Sequence, residues 1–434
     1  MTVKRTFLAF VLFLLTPLMP PVPLTQQVRG QGPVMKRGDL FTQERQAAAA
    51  AFNNKETERY RDALARLYQD FPENSRVLRN LAAAEAMAGH ADASLKLLRD
   101  YAAMGCTLDL KNDAWASVRD QARNVPQLAA NAAAASHGER ILKAPDSDLL
   151  LEDIAFDSSG SRFFLSSVRQ GKIIACGRDG RCEDFVKLSR EISPGGILAT
   201  GVDSRRGVLW ATVAGMEAWA EFRPGDDGRS AVLKFDIRTH KLLGHFEPRD
   251  GKKHAMGDMT VASNGDVFVS DGLSGEVFTI RNEGHVLEPM VPGGTFLSPQ
   301  TPALSADEKQ LYVPDYSMGI AIIRLSDRHV EWVKPIVPAA LEGIDGLYRF
   351  QDRLIAVQNG TQPERIVSFH LKSPAEIDRF QVLEANWTGL GDPTHGVIVG
   401  ADFFFIANSG WDRVGAKGEF KPGPPPEVWK FALP

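Results

Sequence analysis

From about residue 149 onward, short runs of alternating apolar and polar residues are separated by turns rich in glycine, aspartate, asparagine and serine. Alternation of period two predicts β-strands with one buried face, and the polar turns indicate hairpins. The clearest unit runs from Asp258 through Asn264 and Gly265 to Asp271. Similar units return at the spacing of propeller blades, which is roughly 40 to 50 residues. They cover residues 152–167, 200–211, 258–271, 300–315, 345–357 and 395–408.

Six repeats of this kind predict a six-bladed β-propeller over residues 138–434. Each unit provides an inner strand, a tight turn and a second strand, and later runs such as 230–235 and 275–280 provide third strands. The final run, 427–431, completes the last blade. Residues 138–142 are expected to add the outer strand of that blade and so fasten the ring, which removes free sheet edges.

Residues 40–135 have a different pattern, rich in alanine, leucine, glutamate and arginine, that predicts helices. A helix ends at Phe71-Pro72, and two further helices flank Gly89. This helix–turn–helix resembles a tetratricopeptide repeat. Two interpretations stay open: a helical module that only packs on the propeller, or one that also binds a partner protein.

The N-terminus predicts export. Lys4 and Arg5 precede an apolar run over residues 7–15, and several prolines follow. This is the pattern of a signal peptide, which with a linker is assigned to residues 1–31. The protein is therefore expected to be secreted or periplasmic, with no stable membrane span after cleavage; the alternative is an uncleaved membrane anchor. The near-neutral net charge of −4 and the scattered basic residues do not indicate nucleic-acid binding.

The chain has three cysteines. Cys106 lies in the helical region and is expected to be a core residue. Cys176 and Cys182 flank a predicted turn, where they either form a disulfide in an oxidising compartment or remain reduced.

Polar residues stand where the predicted inner strands begin, and these strand ends meet at one opening of a propeller channel. They are Glu152 or Asp153, Asp258, Gln300, Asp345 and His395. Oxygen ligands at this density suit a hard divalent cation such as Ca²⁺. An ion there would polarise a carbonyl group or lower the pKa of a bound water. Turn-capping or solvated roles for the same residues are the competing interpretation.

The propeller resembles the SMP-30/gluconolactonase/LRE-like superfamily, whose members hold one divalent metal in the channel. The family's Glu-Gly-Pro-x-Trp opening corresponds to residues 152–156, and its Asp-Gly phrase corresponds to Asp345-Gly346. The resemblance therefore implies that Glu152 is a metal ligand and that Asp345 is a ligand and a general base. It aligns Gln300 and Asp258 with the family's two asparagine ligands. Paraoxonases are also similar, which implies that His395 serves as a base.

Together these features predict an exported, calcium-dependent lactonase or esterase with a small lactone as substrate. Asp345 and His395 are the predicted catalytic residues, and the predicted metal ligands are Glu152, Asp258, Gln300 and Asp345. The alternative is a non-catalytic propeller that binds a ligand in its channel and a protein through its helices. Redox chemistry has no sequence support, because the chain lacks both a Gly-x-Gly-x-x-Gly loop after a strand and a Cys-x-x-Cys-His motif.

Overall fold

The described part of the chain starts with helices and continues as a ring of β-sheets. The computed structural model describes residues 36–434, so the predicted signal peptide lies outside the described residues. Within these residues, four long α-helices are followed by two short ones: α1 Arg37–Asn53, α2 Thr57–Asp70, α3 Ser75–Met87, α4 Ala91–Ala103, α5 Arg119–Arg123 and α6 Pro126–Asn131. Among the described helices, none has the length and apolar character needed to cross a bilayer.

Local sequence signals set the ends of these helices. Helix α2 ends before Phe71-Pro72, as predicted, because proline cannot continue a helix. Asn74 caps α3 by accepting a hydrogen bond from the Val77 amide at 2.9 Å. Gly89, with a φ of 83°, makes the turn between α3 and α4. The two predicted helices around this glycine are therefore confirmed.

The strands that follow the helices form six sheets, and the predicted six-bladed propeller is confirmed. Blades 1 to 5 run outward along the chain, and blade 6 combines both ends of the propeller. The strands are β1 Glu139–Lys143, β2 Leu151–Asp157, β3 Arg162–Ser167, β4 Lys172–Gly177, β5 Cys182–Lys187, β6 Gly196–Asp203, β7 Val208–Ala214, β8 Ser230–Asp236, β9 Leu242–Phe246, β10 Met256–Val261, β11 Val267–Asp271, β12 Glu276–Ile280, β13 Glu288–Val291, β14 Ala303–Leu304, β15 Gln310–Asp315, β16 Gly319–Arg324, β17 Val330–Trp332, β18 Lys334–Pro335, β19 Ile344–Phe350, β20 Arg353–Gln358, β21 Arg365–Ser373, β22 Glu376–Ala385, β23 Gly396–Val399, β24 Asp402–Ile406 and β25 Glu427–Ala432.

Blade 6 closes the ring as the sequence predicts. Its strand order is β23, β24, β25 and β1, so the first strand of the propeller forms the outer edge of the last blade. Strand β1 pairs antiparallel with β25, with Glu139 opposite Lys430 and Lys143 opposite Glu427. Opening the ring therefore requires the separation of hydrogen-bonded strands from opposite ends of the propeller.

The apolar faces of neighbouring blades pack against each other. Between blades 1 and 2, for example, Phe164 and Ile173 share one buried cluster with Leu209 and Leu233. Every blade except blade 5 has four strands; blade 5 has β18 as an additional outer strand, parallel to β22. This packing between blades holds the inner strands in place around the central channel.

The helical region packs on blades 4 and 5. The Arg37 guanidinium lies 4.3 Å from the ring centroid of Phe71 and 4.6 Å from that of Trp332, and it pairs with Glu73 at 2.5 Å. The Ser75 hydroxyl donates to a buried Glu342 oxygen at 2.5 Å. The helices are thus fixed to the propeller by buried polar contacts as well as by apolar packing.

These contacts identify the face of the ring on which the helices lie. The Asn74 side-chain amide donates to the Ser317 carbonyl at 2.6 Å, and the Arg76 guanidinium donates to the Tyr316 carbonyl at 2.5 Å. Both carbonyls directly follow β15, whose end lies beside the start of inner strand β14. The helical region therefore lies on the face where the inner strands begin.

The two predicted hairpin cysteines, Cys176 and Cys182, form a disulfide between β4 and β5. Cys106 is a free thiol that is fully buried in the helical core.

Candidate functional site

The inner strands of four blades share an irregularity near their starts. A shift of register lies between Leu151 and Ile154 in β2, between Ile197 and Thr200 in β6, between Met256 and Asp258 in β10, and between Ile344 and Gly346 in β19. Such bulges turn side chains away from the regular alternation, and they are frequent beside functional sites. Here they redirect residues at the channel opening.

Three of the predicted site residues converge at this opening. Glu152, Asp345 and His395 each offer one potential ligand atom, and these atoms all lie within 4.8 Å of one another. All three residues are buried. They come from blades 1, 5 and 6, so their proximity depends on closure of the ring.

His395 is held by hydrogen bonds at both ring nitrogens. Nδ1 lies 2.8 Å from the Glu152 carbonyl oxygen, and Nε2 lies 2.7 Å from Asp258 Oδ1. A carbonyl oxygen only accepts hydrogen bonds, so Nδ1 carries a proton. Burial disfavours a charge on this ring, but Asp345 and the hydrogen bond to Asp258 outweigh that effect and raise the pKa of His395 well above its ordinary value. The site therefore contains an imidazolium paired with a buried aspartate.

The two carboxylates that face His395 each have a neutral hydrogen-bond donor. The Trp411 indole donates to Glu152 Oε2. The Asn359 side-chain amide donates to Asp345 Oδ2 at 2.8 Å, and the Tyr316 hydroxyl donates to Asn359 Oδ1 at 3.0 Å. Tyr316 follows β15, so two adjacent blades fix the orientation of the Asp345 carboxylate.

Tyr316 also contacts the helical region. Arg76 of α3 lies 5.3 Å from the Tyr316 ring centroid and bonds the backbone carbonyl of that residue. A continuous path of contacts thus runs from Arg76 through Tyr316 and Asn359 to Asp345. The helices are physically linked to the channel carboxylate through this path.

The other predicted ligands lie at the same opening but bond to neighbouring groups. Asp258 Oδ1 accepts from the Thr301 hydroxyl at 2.6 Å and from His395. The Gln300 amide nitrogen donates to the Ser298 carbonyl at 3.1 Å and to its hydroxyl at 2.8 Å. Asp258 does not belong to the group of Glu152, Asp345 and His395.

Asp153, which the sequence does not separate from Glu152, has a different role. Its Oδ2 accepts from the Thr200 amide at 2.6 Å, and its Oδ1 accepts from the Ile154 amide at 2.8 Å. Asp153 therefore joins the inner strands of blades 1 and 2, while Glu152 faces the channel site.

Negative charge is in excess at the opening. Burial, reinforced by Asp345, raises the pKa of Glu152 well above its ordinary value, although His395 opposes the shift. Burial also raises the pKa of Asp345 to about 6, and Asp258 adds to that effect while His395 opposes it. Burial is also the main cause of the raised pKa of Asp153. Four buried carboxyl groups thus share one histidine, an arrangement that a bound cation would neutralise.

Two aspartates at the ends of second strands cap turns. Asp271 Oδ1 accepts from the amides of Ala255, Leu273 and Ser274. In blade 4, Asp315 accepts from the backbone amides of residues 297, 298, 317 and 318.

No protein-family model matches the chain, and no curated protein matches it. Solved structures of other propellers are similar in fold. A gluconolactonase from Xanthomonas campestris is 16% identical over 67% of this chain and 88% of its own, with a TM-score of 0.46. A luciferin-regenerating enzyme is 11% identical over 68% of this chain and 94% of its own, with a TM-score of 0.48. Virginiamycin B lyase from Staphylococcus aureus is 11% identical over 68% of this chain and 99% of its own, with a TM-score of 0.44. At these identities, the likeness concerns the fold alone.

Proposed function

We propose that this protein is an exported, calcium-dependent hydrolase of lactones or related esters, with its active site at the channel opening. The observation that carries the proposal is the group of Glu152, Asp345 and His395, three buried polar residues brought together from three blades. A buried cluster of titratable groups with perturbed pKa values at a channel opening is typical of a catalytic site.

The donor set fits a hard divalent cation. Glu152 and Asp345 would supply carboxylate oxygens, and Asp258 and Gln300 are the further predicted oxygen ligands. His395 Nε2 is already bonded to Asp258, so the free donors are oxygens, which favours Ca²⁺ over ions that prefer nitrogen. When bound, such an ion would polarise the substrate carbonyl and acidify a water.

The protein's own residues would supply proton transfer and charge. Asp345, whose carboxylate is oriented by Asn359, would accept a proton from the water. The water oxygen then bonds to the carbonyl carbon of the lactone, and the ring C–O bond breaks. The proton passes from Asp345 to the departing ring oxygen, which gives a hydroxy acid and restores the carboxylate. The His395 imidazolium pairs with Asp258 and would stabilise negative charge that develops in the site during the reaction.

Two features support export. The N-terminal residues have the pattern of a signal peptide, and Cys176 and Cys182 are joined in a disulfide. Disulfides persist in oxidising compartments such as the periplasm or the cell exterior.

The test is hydrolysis of a panel of sugar and aliphatic lactones by the purified protein, with Ca²⁺ and with chelator. We expect turnover that chelator abolishes and that Asp345→Asn lowers by at least about 100-fold, the usual scale for loss of a general base. Asp327→Asn, an exposed surface aspartate, is the matched control and keeps full activity. Calcium-independent turnover, or equal activity of Asp345→Asn and wild type, contradicts the proposal.

A second candidate is a non-catalytic binding propeller. It is favoured by the engagement of both His395 nitrogens, which leaves that ring no free lone pair for chemistry. In this proposal the channel binds a ligand, and the tetratricopeptide-like helices bind a partner protein. Absence of turnover across the panel, together with calcium binding, would favour it.

A further inference from the structure

A second cluster of potential metal ligands lies outside the channel, at the edge of blade 3. Asp250 and His254 belong to the loop between β9 and β10, and Glu276 begins β12. One ligand atom from each of these three residues lies within 4.8 Å of the other two. None of them contributes to the channel site described above.

Glu276 is the observation that points to a missing ligand. The residue is only 7% exposed, and its Oε2 atom is buried with no hydrogen-bond partner. Its nearest cation is the Lys252 ammonium, which lies 3.6 Å from Oε1. A buried polar atom left without a hydrogen bond costs about 1–3 kcal/mol, and more when the group is charged. A bound cation would remove that cost.

His254 is oriented as metal-binding histidines are. Its Nδ1 lies 2.6 Å from Oδ2 of the fully buried Asp271, and its backbone amide donates to the Gly228 carbonyl at 2.8 Å. A carboxylate that accepts from Nδ1–H fixes the ring and leaves Nε2 to face a metal. Nε2 is bonded to Asp250 Oδ1 at 2.8 Å, so an ion binds here by displacing the proton between them. The Asp250 side chain is 35% exposed and free to move aside, whereas Asp258, the partner of His395 in the channel, is only 6% exposed.

The blade does not need this histidine to satisfy its turn. In blade 4, Oδ2 of the equivalent Asp315 accepts from the backbone amides of Leu297 and Ser298. In blade 3, Oδ2 of Asp271 accepts from His254 instead. Blade 3 thus has a carboxylate–histidine pair at a position where its neighbour uses the main chain.

We propose that Asp250, His254 and Glu276 bind a divalent first-row transition-metal ion such as Zn²⁺, with Asp271 as the residue that positions His254. One imidazole nitrogen and two carboxylate oxygens suit such an ion, and three protein ligands leave a position for water. Lys252, whose side chain is 62% exposed, lies near both carboxylates and competes with the metal for them. The ion would tie the loop between blades 2 and 3 to β12.

The experiment is calorimetric titration of the chelator-treated full-length protein with Zn²⁺ alone. Glu276→Gln is expected to weaken binding at this site at least tenfold, and Asp271→Asn by about 10–100-fold, the range for partners of metal-binding histidines. Lys252→Met is expected to tighten binding, because it removes the competing ammonium. Asp345→Asn in the channel leaves this site unchanged, which separates the two centres.

Crystals of the wild-type protein soaked in Zn²⁺ provide a measurement that does not depend on the folding of variants. We expect an anomalous difference peak between Asp250, His254 and Glu276, with Lys252 displaced. The absence of that peak at a Zn²⁺ concentration that saturates the calorimetric titration overturns the proposal. Equal Zn²⁺ affinity of wild type, Glu276→Gln and Lys252→Met also overturns it.

Discussion

Replacement of Asp258 by asparagine tests whether the buried pair with His395 holds the channel site together. The two side chains are 6% and 2% exposed, and Nε2 lies 2.7 Å from Oδ1. Asparagine retains an acceptor oxygen for Thr301 and His395 but removes the charge. Breaking a buried ion pair costs about 3–5 kcal/mol, and we expect about 3 kcal/mol because both hydrogen bonds can persist and Asp345 remains near the imidazolium.

The chain offers a matched control for this change. Arg324 and Asp327 also approach to 2.7 Å, but their side chains are 50% and 52% exposed. Exposed pairs contribute about 0–1 kcal/mol, so Asp327→Asn is expected to change stability by no more than about 0.5 kcal/mol. The two substitutions have the same chemistry and pair distance and differ in burial.

Urea unfolding of the calcium-free protein, followed by tryptophan fluorescence, measures both variants. Asp258→Asn should move the unfolding midpoint to lower urea without a change of slope, since a pure loss of stability leaves the exposed area unaltered. If the Asp258→Asn and Asp327→Asn midpoints coincide, the buried pair of Asp258 and His395 does not stabilise the site more than an exposed pair does.

Two further predictions concern the path to the helices and the response to pH. Tyr316→Phe removes the hydroxyl that donates to Asn359 and leaves a part-buried amide oxygen without that partner, which costs about 1–3 kcal/mol of stability. We expect the activation free energy of lactone hydrolysis to change by more than the free energy of unfolding does. An unchanged kcat at saturating calcium would contradict the role of this path in orienting Asp345. Burial alone would raise the pKa of Asp226, but two hydrogen bonds from Arg190 and further ones outweigh it and lower that pKa. A lowered folded-state pKa contributes stability above the unfolded value of about 4 and loses it as the pH falls through the folded value. The stability difference between wild type and Asp226→Asn should therefore shrink in urea titrations below about pH 4, and a difference that grows there would contradict the assignment.

The sequence predicts the fold well because its signals are local. Period-two alternation with polar turns marks the strands, and Pro72 and Gly89 mark ends and turns of helices. The outer strand from residues 139–143 is also predictable, since a closed ring needs a partner for its last blade.

The site is only partly predictable, because it depends on contacts between distant blades. The positions of Glu152, Asp345 and His395 follow from the starts of the inner strands. The bulges near Glu152, Asp258 and Asp345 have no sequence signature of their own, so the pairing of Asp258 with His395 could not be predicted. The roles of Trp411, Asn359 and Tyr316 were missed for the same reason. The hydrogen bond from Trp411 to Glu152, for example, spans 259 residues of chain.

The cluster of Asp250, His254 and Glu276 could not be predicted, because the spacing of these residues along the sequence matches no ligand motif. Asp250 and His254 lie in a loop with no recognisable ligand motif, and Glu276 reads as an ordinary strand residue. Only the pairing of β11 with β12, which places Asp271 opposite Glu276, brings them together.

The most direct test of the channel site is calorimetric titration of the chelator-treated protein with Ca²⁺. We expect one ion bound per chain in wild type, loss of that ion in Asp345→Asn, and its retention in Glu276→Gln and Asp327→Asn. Wild-type protein that binds no Ca²⁺, or Asp345→Asn that binds it with wild-type affinity, would contradict the claim that the channel carboxylates form a calcium centre.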